Sequence, residues 1–171
     1  MPAVPKDRMA PAMTDPLWPP TPSITDGYIL HFDVAGLPAP QGSKKAFVNP
    51  RTRRAIIVDA NPTTLRSWRQ DVIEAAKHAR GTSVPLDGSL SLLVTFWLPR
   101  LQAHYGTKGL KVNAPTYSRS KPDIDKLLRA VMDALTIAGV WTDDARVARV
   151  TMEKMYSETP GCAVTITLLD K

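Results

Sequence analysis

Two aspartates one residue apart, Asp123 and Asp125, stand before Lys126 and Arg129, and a second acidic pair, Asp143 and Asp144, follows after a glycine at 139. Carboxylate oxygens with no histidine or cysteine beside them suit a hard divalent cation, Mg²⁺ or Mn²⁺. An ion held in this way can neutralise charge on a phosphodiester and assist attack by water. An Asp-x-Asp pair alone is weak evidence. It arises often by chance, it is common at a solvated helix start, and it also serves glycosyltransferases, whose nucleotide-binding frameworks need a longer chain. The further carboxylates and the nearby guanidinium raise its specificity.

The elements that must position these groups can be read around them. Ile124, Leu127, Leu128, Val131, Met132 and Leu135 repeat with the spacing of one helical face. Within a helix, residues two apart point about 200° from each other, whereas in an extended segment they point the same way. Asp123 must therefore precede the first turn if it acts with Asp125. Pro122 fits a helix entrance, and both acids then sit near the positive end of the helix. Gly139 suits the C-terminal cap. A hairpin-like return of the chain after it would bring Asp143 and Asp144 back to Asp123 and Asp125.

Residues 1–27 hold seven prolines without an apolar period, so they read as a disordered or polyproline-like tail. The alternation of Tyr28 to Ala35 predicts a strand. Lys44, Lys45, Arg51, Arg53 and Arg54 follow with no acid between them, flanking an Asn49-Pro50 turn. They form either a solvated basic hairpin or a ribbon that grips phosphates. Asn61-Pro62 opens a helix to about Arg80, with Leu65, Trp68, Val72, Ile73 and Ala76 inward. Ser89 to Leu98 reads as a buried strand and Pro99 to Ser120 as a long, polar, irregular loop. After the acidic helix, Arg146 to Tyr156 and Cys162 to Leu169 read as two strands. The order predicts an α+β domain over residues 28–171, a mixed or antiparallel sheet with two main helices packed against it.

The chain has 171 residues, a formal charge of +6 and a pI near 9.6. That balance favours a polyanionic partner such as nucleic acid. No run is long enough to cross a membrane, and no signal-peptide core precedes the first strand. A lone cysteine, Cys162, excludes a disulfide framework and points to a reducing compartment.

The run Asp123-Ile124-Asp125-Lys126-Leu127-Leu128-Arg129-Ala130 through Asp133-Ala134-Leu135, then Gly139-Val140-Trp141-Thr142-Asp143-Asp144-Ala145-Arg146-Val147, resembles the RusA family of Holliday-junction resolvases. The family pattern is Asp-x-Asp-Asn-Leu-x-Lys-Ala, then Asp-Ala-Leu, then Gly, an aromatic and Asp-Asp-x-x-Val. The Gly36 to Lys45 region and the Trp68 helix are similar to phage-type members. The resemblance implies a homodimeric, Mg²⁺-dependent endonuclease, phage- or bacterium-encoded and cytoplasmic, that resolves four-way junctions by paired nicks in recombination and repair. It assigns catalytic and metal-binding roles to Asp123, Asp125 and Asp144, with Asp143 as a possible assistant. Lys121 and Lys126 join the basic ribbon as DNA contacts. Two positions depart from the pattern: Lys126 replaces an asparagine, and Arg129 replaces a lysine. Arg129 can hold a phosphate by charge and bidentate hydrogen bonds but cannot readily give up a proton, and it could instead pair with Asp133 one turn on. The rival reading is a junction-binding protein with little or no catalysis.

Overall fold

The computed structural model describes residues 28–42, 44–48, 50–59 and 62–169; the side chains of residues 28–29, 44–47 and 56–59 are outside the description. The proline-rich tail, Asn49 and Asn61 lie outside the described residues.

Four strands form the main sheet: β1 (Tyr28–Ala35), β4 (Leu90–Pro99), β7 (Val147–Ser157) and β8 (Gly161–Leu168), in the order β1-β8-β4-β7. β8 runs antiparallel to both neighbours, whereas β4 and β7 are parallel. The sheet is therefore mixed, and the parallel pair requires a long crossover. That crossover carries helix α2 (Ile124–Ile137). Helix α1 (Pro62–Arg80) packs over β1 and against α2, and α2 lies on the β7 side.

Register explains the core. Val34, Cys162, Phe96 and Lys154 stand opposite one another across the four strands, with Phe32, Val164, Val94 and Met152 in the next row on the same face. Residues directly opposite share a face, so these rows face the helices. Every member is buried except the two on the edge strand β7, which are half-buried. From the helix layer come Trp68, Val72 and Ala76 of α1, and Leu127, Ala130, Val131, Ala134 and Leu135 of α2, all buried.

The expected basic hairpin forms as β2 (Lys44–Val48) paired with β3 (Ala55–Asp59), a two-stranded sheet separate from the main one. The 99–120 stretch is more regular than its sequence predicts. It holds a 3₁₀ turn at Gln102–His104 and a two-residue hairpin, β5 (Tyr105–Gly106) with β6 (Gly109–Leu110). These elements are too short to show a period. Beyond them the chain pairs with β7: Ser118 N–H donates to Lys154 O, and Tyr156 N–H donates to Thr116 O.

Leu127 is fully buried between α2 and the sheet. Leu127→Ala is expected to cost about 2–5 kcal/mol, read as a lower urea midpoint at unchanged slope. Ile137→Ala, at an exposed position on the same helix, should stay within about 0.5 kcal/mol.

Candidate catalytic site

Asp123 is the N-cap of α2, extended at φ −69° and ψ 140°. An aspartate at this position normally accepts a hydrogen bond from the first turn. Here the side chain makes no such bond. Its carboxylate is turned instead to Lys126, whose Nζ donates to Asp123 Oδ2 at 2.7 Å. This hydrogen bond, the Lys126 charge, and then Lys121 and Lys154 hold the Asp123 carboxyl below its ordinary range. Asp125 is exposed in the first helical turn. The expectation that Asp123 lies before the first full turn matches the structure, and Asp125 falls inside that turn.

Lys154 was not among the residues singled out from the sequence, yet it fixes this end of the helix. Its Nζ donates to the carbonyls of Ser120 at 2.7 Å and Pro122 at 2.8 Å, bracketing the cis Lys121–Pro122 peptide. Its place in the row of Met152 on a strand was the available signal. A lysine at an inward position needs partners for its charge, and the lead-in to Asp123 supplies them.

A second tie comes from the loop before the basic ribbon. Gln41 N–H donates to Lys126 O at 2.9 Å, and Gln41 Nε2 donates to Asp133 Oδ2. Asp133 also faces Arg69 of α1 at 4.0 Å. The alternative Arg129–Asp133 ion pair is therefore not formed, because Gln41 and Arg69 take that carboxylate. Arg129 is exposed and reaches toward Gly42, where its Nη1 lies 3.5 Å from the position a Cβ would take. Gly42 itself has φ +84°, a conformation that favours glycine. The basic ribbon thus springs from beside the first two turns of α2. Arg51, Arg53 and Arg54 are exposed around its turn; the side chains of Lys44 and Lys45 lie outside the described residues.

The other acidic pair sits elsewhere. Asp143 caps a 3₁₀ turn at Asp144–Arg146, its Oδ1 accepting from Ala145 N–H at 2.8 Å. Asp143 and Asp144 line a shallow pocket with Arg69, Asp133, Thr136 and Ile137, at the far end of α2. From Asp123 to Thr136 the helix rises roughly 20 Å. The hairpin-like return expected to gather all four carboxylates does not occur within one chain. Gly139, at φ +71°, ends the helix, and buried Val140 and Trp141 then pin the chain at that end. Trp141 Nε1 donates to Thr136 Oγ1 at 2.8 Å, which locks the turn there. Among the described residues no group of three or more His, Cys, Asp or Glu side chains could hold a metal ion.

Carboxylate oxygens are the donors that hard cations take, but at Asp123 the Lys126 ammonium already occupies one of them, and a cation there would have to displace it. Three lysines around one exposed carboxylate also make a positive setting for a phosphate.

A family model described as Endodeoxyribonuclease RusA matches residues 39–167. No curated protein matches the chain.

Replacing Lys126 with Gln is expected to raise the Asp123 carboxyl pKa toward the ordinary carboxylate value, as followed by NMR titration. The sign is that of a carboxyl depressed on folding: its stabilising contribution is present above the unfolded pKa and is lost as pH falls through the folded one. Lys154→Met should leave the fold intact but speed amide exchange at residues 121–125, with the second half of α2 still protected. Unchanged exchange at 121–125 would show that the lead-in holds itself.

Proposed function

Because the chain belongs to the RusA family of endodeoxyribonucleases, we propose that it is a divalent-metal-dependent nuclease that resolves four-way DNA junctions by paired nicks, in recombination and repair. The observation that carries this reading is the Asp123 end of α2. There an uncapped aspartate, a neighbouring first-turn aspartate and three lysines converge beside the root of a basic ribbon.

Asp123, Asp125 and Asp144 would hold Mg²⁺ or Mn²⁺, with Asp143 partly committed to its turn. A bound cation supplies positive charge to the phosphate and to the attacking water. In the cleavage step the water oxygen bonds to phosphorus, the P–O3′ bond breaks, and the products are a 3′-hydroxyl and a 5′-phosphate. Arg129 donates hydrogen bonds to phosphate oxygens as charge builds there. As an arginine it stabilises that charge without serving as a proton donor. Lys121, Lys126 and the ribbon residues Lys44, Lys45, Arg51, Arg53 and Arg54 hold the backbone of the junction arms.

The separation of Asp144 from Asp123 ties this chemistry to assembly. One chain offers the two halves of the acidic set at opposite ends of a rigid helix. A complete site then needs carboxylates from two protomers, and a homodimer with two-fold symmetry supplies two such sites for two nicks. The same separation is what favours the second reading, a junction-binding protein without catalysis.

Complementation distinguishes the two. Asp123→Asn and Asp144→Asn should each abolish cleavage of a synthetic four-way junction in Mg²⁺ while leaving binding intact. Mixing and re-equilibrating the two dead variants should restore nicking, because mixed dimers regain one intact site. Failure of the mixture, with each variant dimeric by sedimentation, would place all ligands in one chain. Full activity in both variants would remove the carboxylates from the mechanism.

A further inference from the structure

A pocket of about 470 Å³ opens directly beside Asp123. Its volume falls within the range of small-ligand sites, roughly 300–1,000 Å³. Pro38, Pro40, Pro99 and Pro122 supply flat apolar walls. Leu37 and Leu101 stand on its lining with 52% and 46% of their surface exposed, an unusual display for two large apolar side chains of one pocket. Polar groups are few. The Ser118 side chain turns to the Tyr156 hydroxyl. The Tyr156 hydroxyl pairs with Ser120 Oγ at 3.0 Å. Lys121, Asp123 and Lys126 complete the lining on the α2 side.

Resting on the nuclease reading, we propose that this pocket receives one unstacked nucleobase from the strand to be cut. The occupant must have two apolar faces, a polar edge and an anionic group a short, fixed distance away. A nucleotide whose phosphate lies at Asp123 and the lysines meets all three demands. Proteins that take a base out of the stack hold it between apolar or aromatic side chains and read its edge by hydrogen bonds, and extrusion costs least where pairing is already disturbed. The crossover of a four-way junction is such a place, and an intact duplex is not. The pocket therefore couples branch structure to placement of the phosphate at the carboxylates.

The test uses four-way junctions carrying 2-aminopurine, in turn, at each nucleotide flanking the crossover, bound by the full chain in EDTA. Binding should raise fluorescence several-fold at one position, and that signal should be shielded from acrylamide. The exposed pair Leu37→Ser/Leu101→Ser should remove at least half of the rise while the protein still saturates the junction, since phosphate contacts dominate affinity. Thr64→Phe, at an exposed lining position near the start of α1, should do the same by blocking the pocket. Bound junctions that stay stacked at every position would overturn the proposal and leave the nuclease reading standing. So would a signal that persists, open to acrylamide, in both variants. A changed solution mass of the leucine variant would reassign the surface to contact between copies. No binding to any junction would overturn both the proposal and the reading beneath it.

Discussion

One ammonium group, Lys154 Nζ, joins the edge of the sheet to the acidic end of α2. It projects from the helix-facing side of β7 and meets two carbonyls of the segment that leads into the helix. Each partner solves a problem for the other. The charge would be costly on an inward face without acceptors, and the carbonyls of an irregular segment have no ladder to join. Charge-assisted hydrogen bonds of this kind are about twice as strong as neutral ones. The consequence is that the lead-in to Asp123 is anchored to the sheet, while the carboxylate itself is turned to Lys126 of the helix.

The same helix that presents Asp123 also keeps Asp144 away. Five fully buried residues of α2 bind it along its length to α1 and the sheet, so it cannot bend to shorten the span. Gln41 and Arg69 fasten its middle through Asp133. On the proposed reading, a site split across such a rod would make assembly a precondition of chemistry. A single copy resting on ordinary duplex would carry the binding surface without the full acidic set.

Much of this was legible in the sequence because the strong patterns are local. The apolar period of α2, the alternation of β1 and the turn signals around the basic ribbon each placed an element to within a residue or two. Because residues two apart point away from each other inside a helix, Asp123 had to lie before the first full turn, and it is the N-cap. What was hidden depends on distance in the chain. Lys154 and Ser120 are 34 positions apart, and Gln41 meets Asp133 across 92; neither pairing leaves a periodic trace. Only a hairpin-like return of the chain after Gly139 would gather Asp123 with Asp144. Proximity in sequence proved a poor guide once a stiff helix of 14 residues lay between them. The Arg129–Asp133 pair failed for a related reason: spacing permits a contact, but competitors from other elements decide it.

The pairing of residues 116–118 with β7 has a consequence for how copies of this chain can meet. A free edge strand is a template for another strand, whether in a dimer or in an aggregate. Here the C-terminal part of that edge is already occupied, with Ser118 and Thr116 using the backbone groups of Lys154 and Tyr156. The remainder carries Arg149 and Glu153, charges that discourage an incoming strand. Sheet extension is thus blocked at the C-terminal part of β7 and disfavoured along the remainder. A partner copy therefore cannot add a strand directly to that C-terminal part and must approach it through residues 116–118 or through side chains.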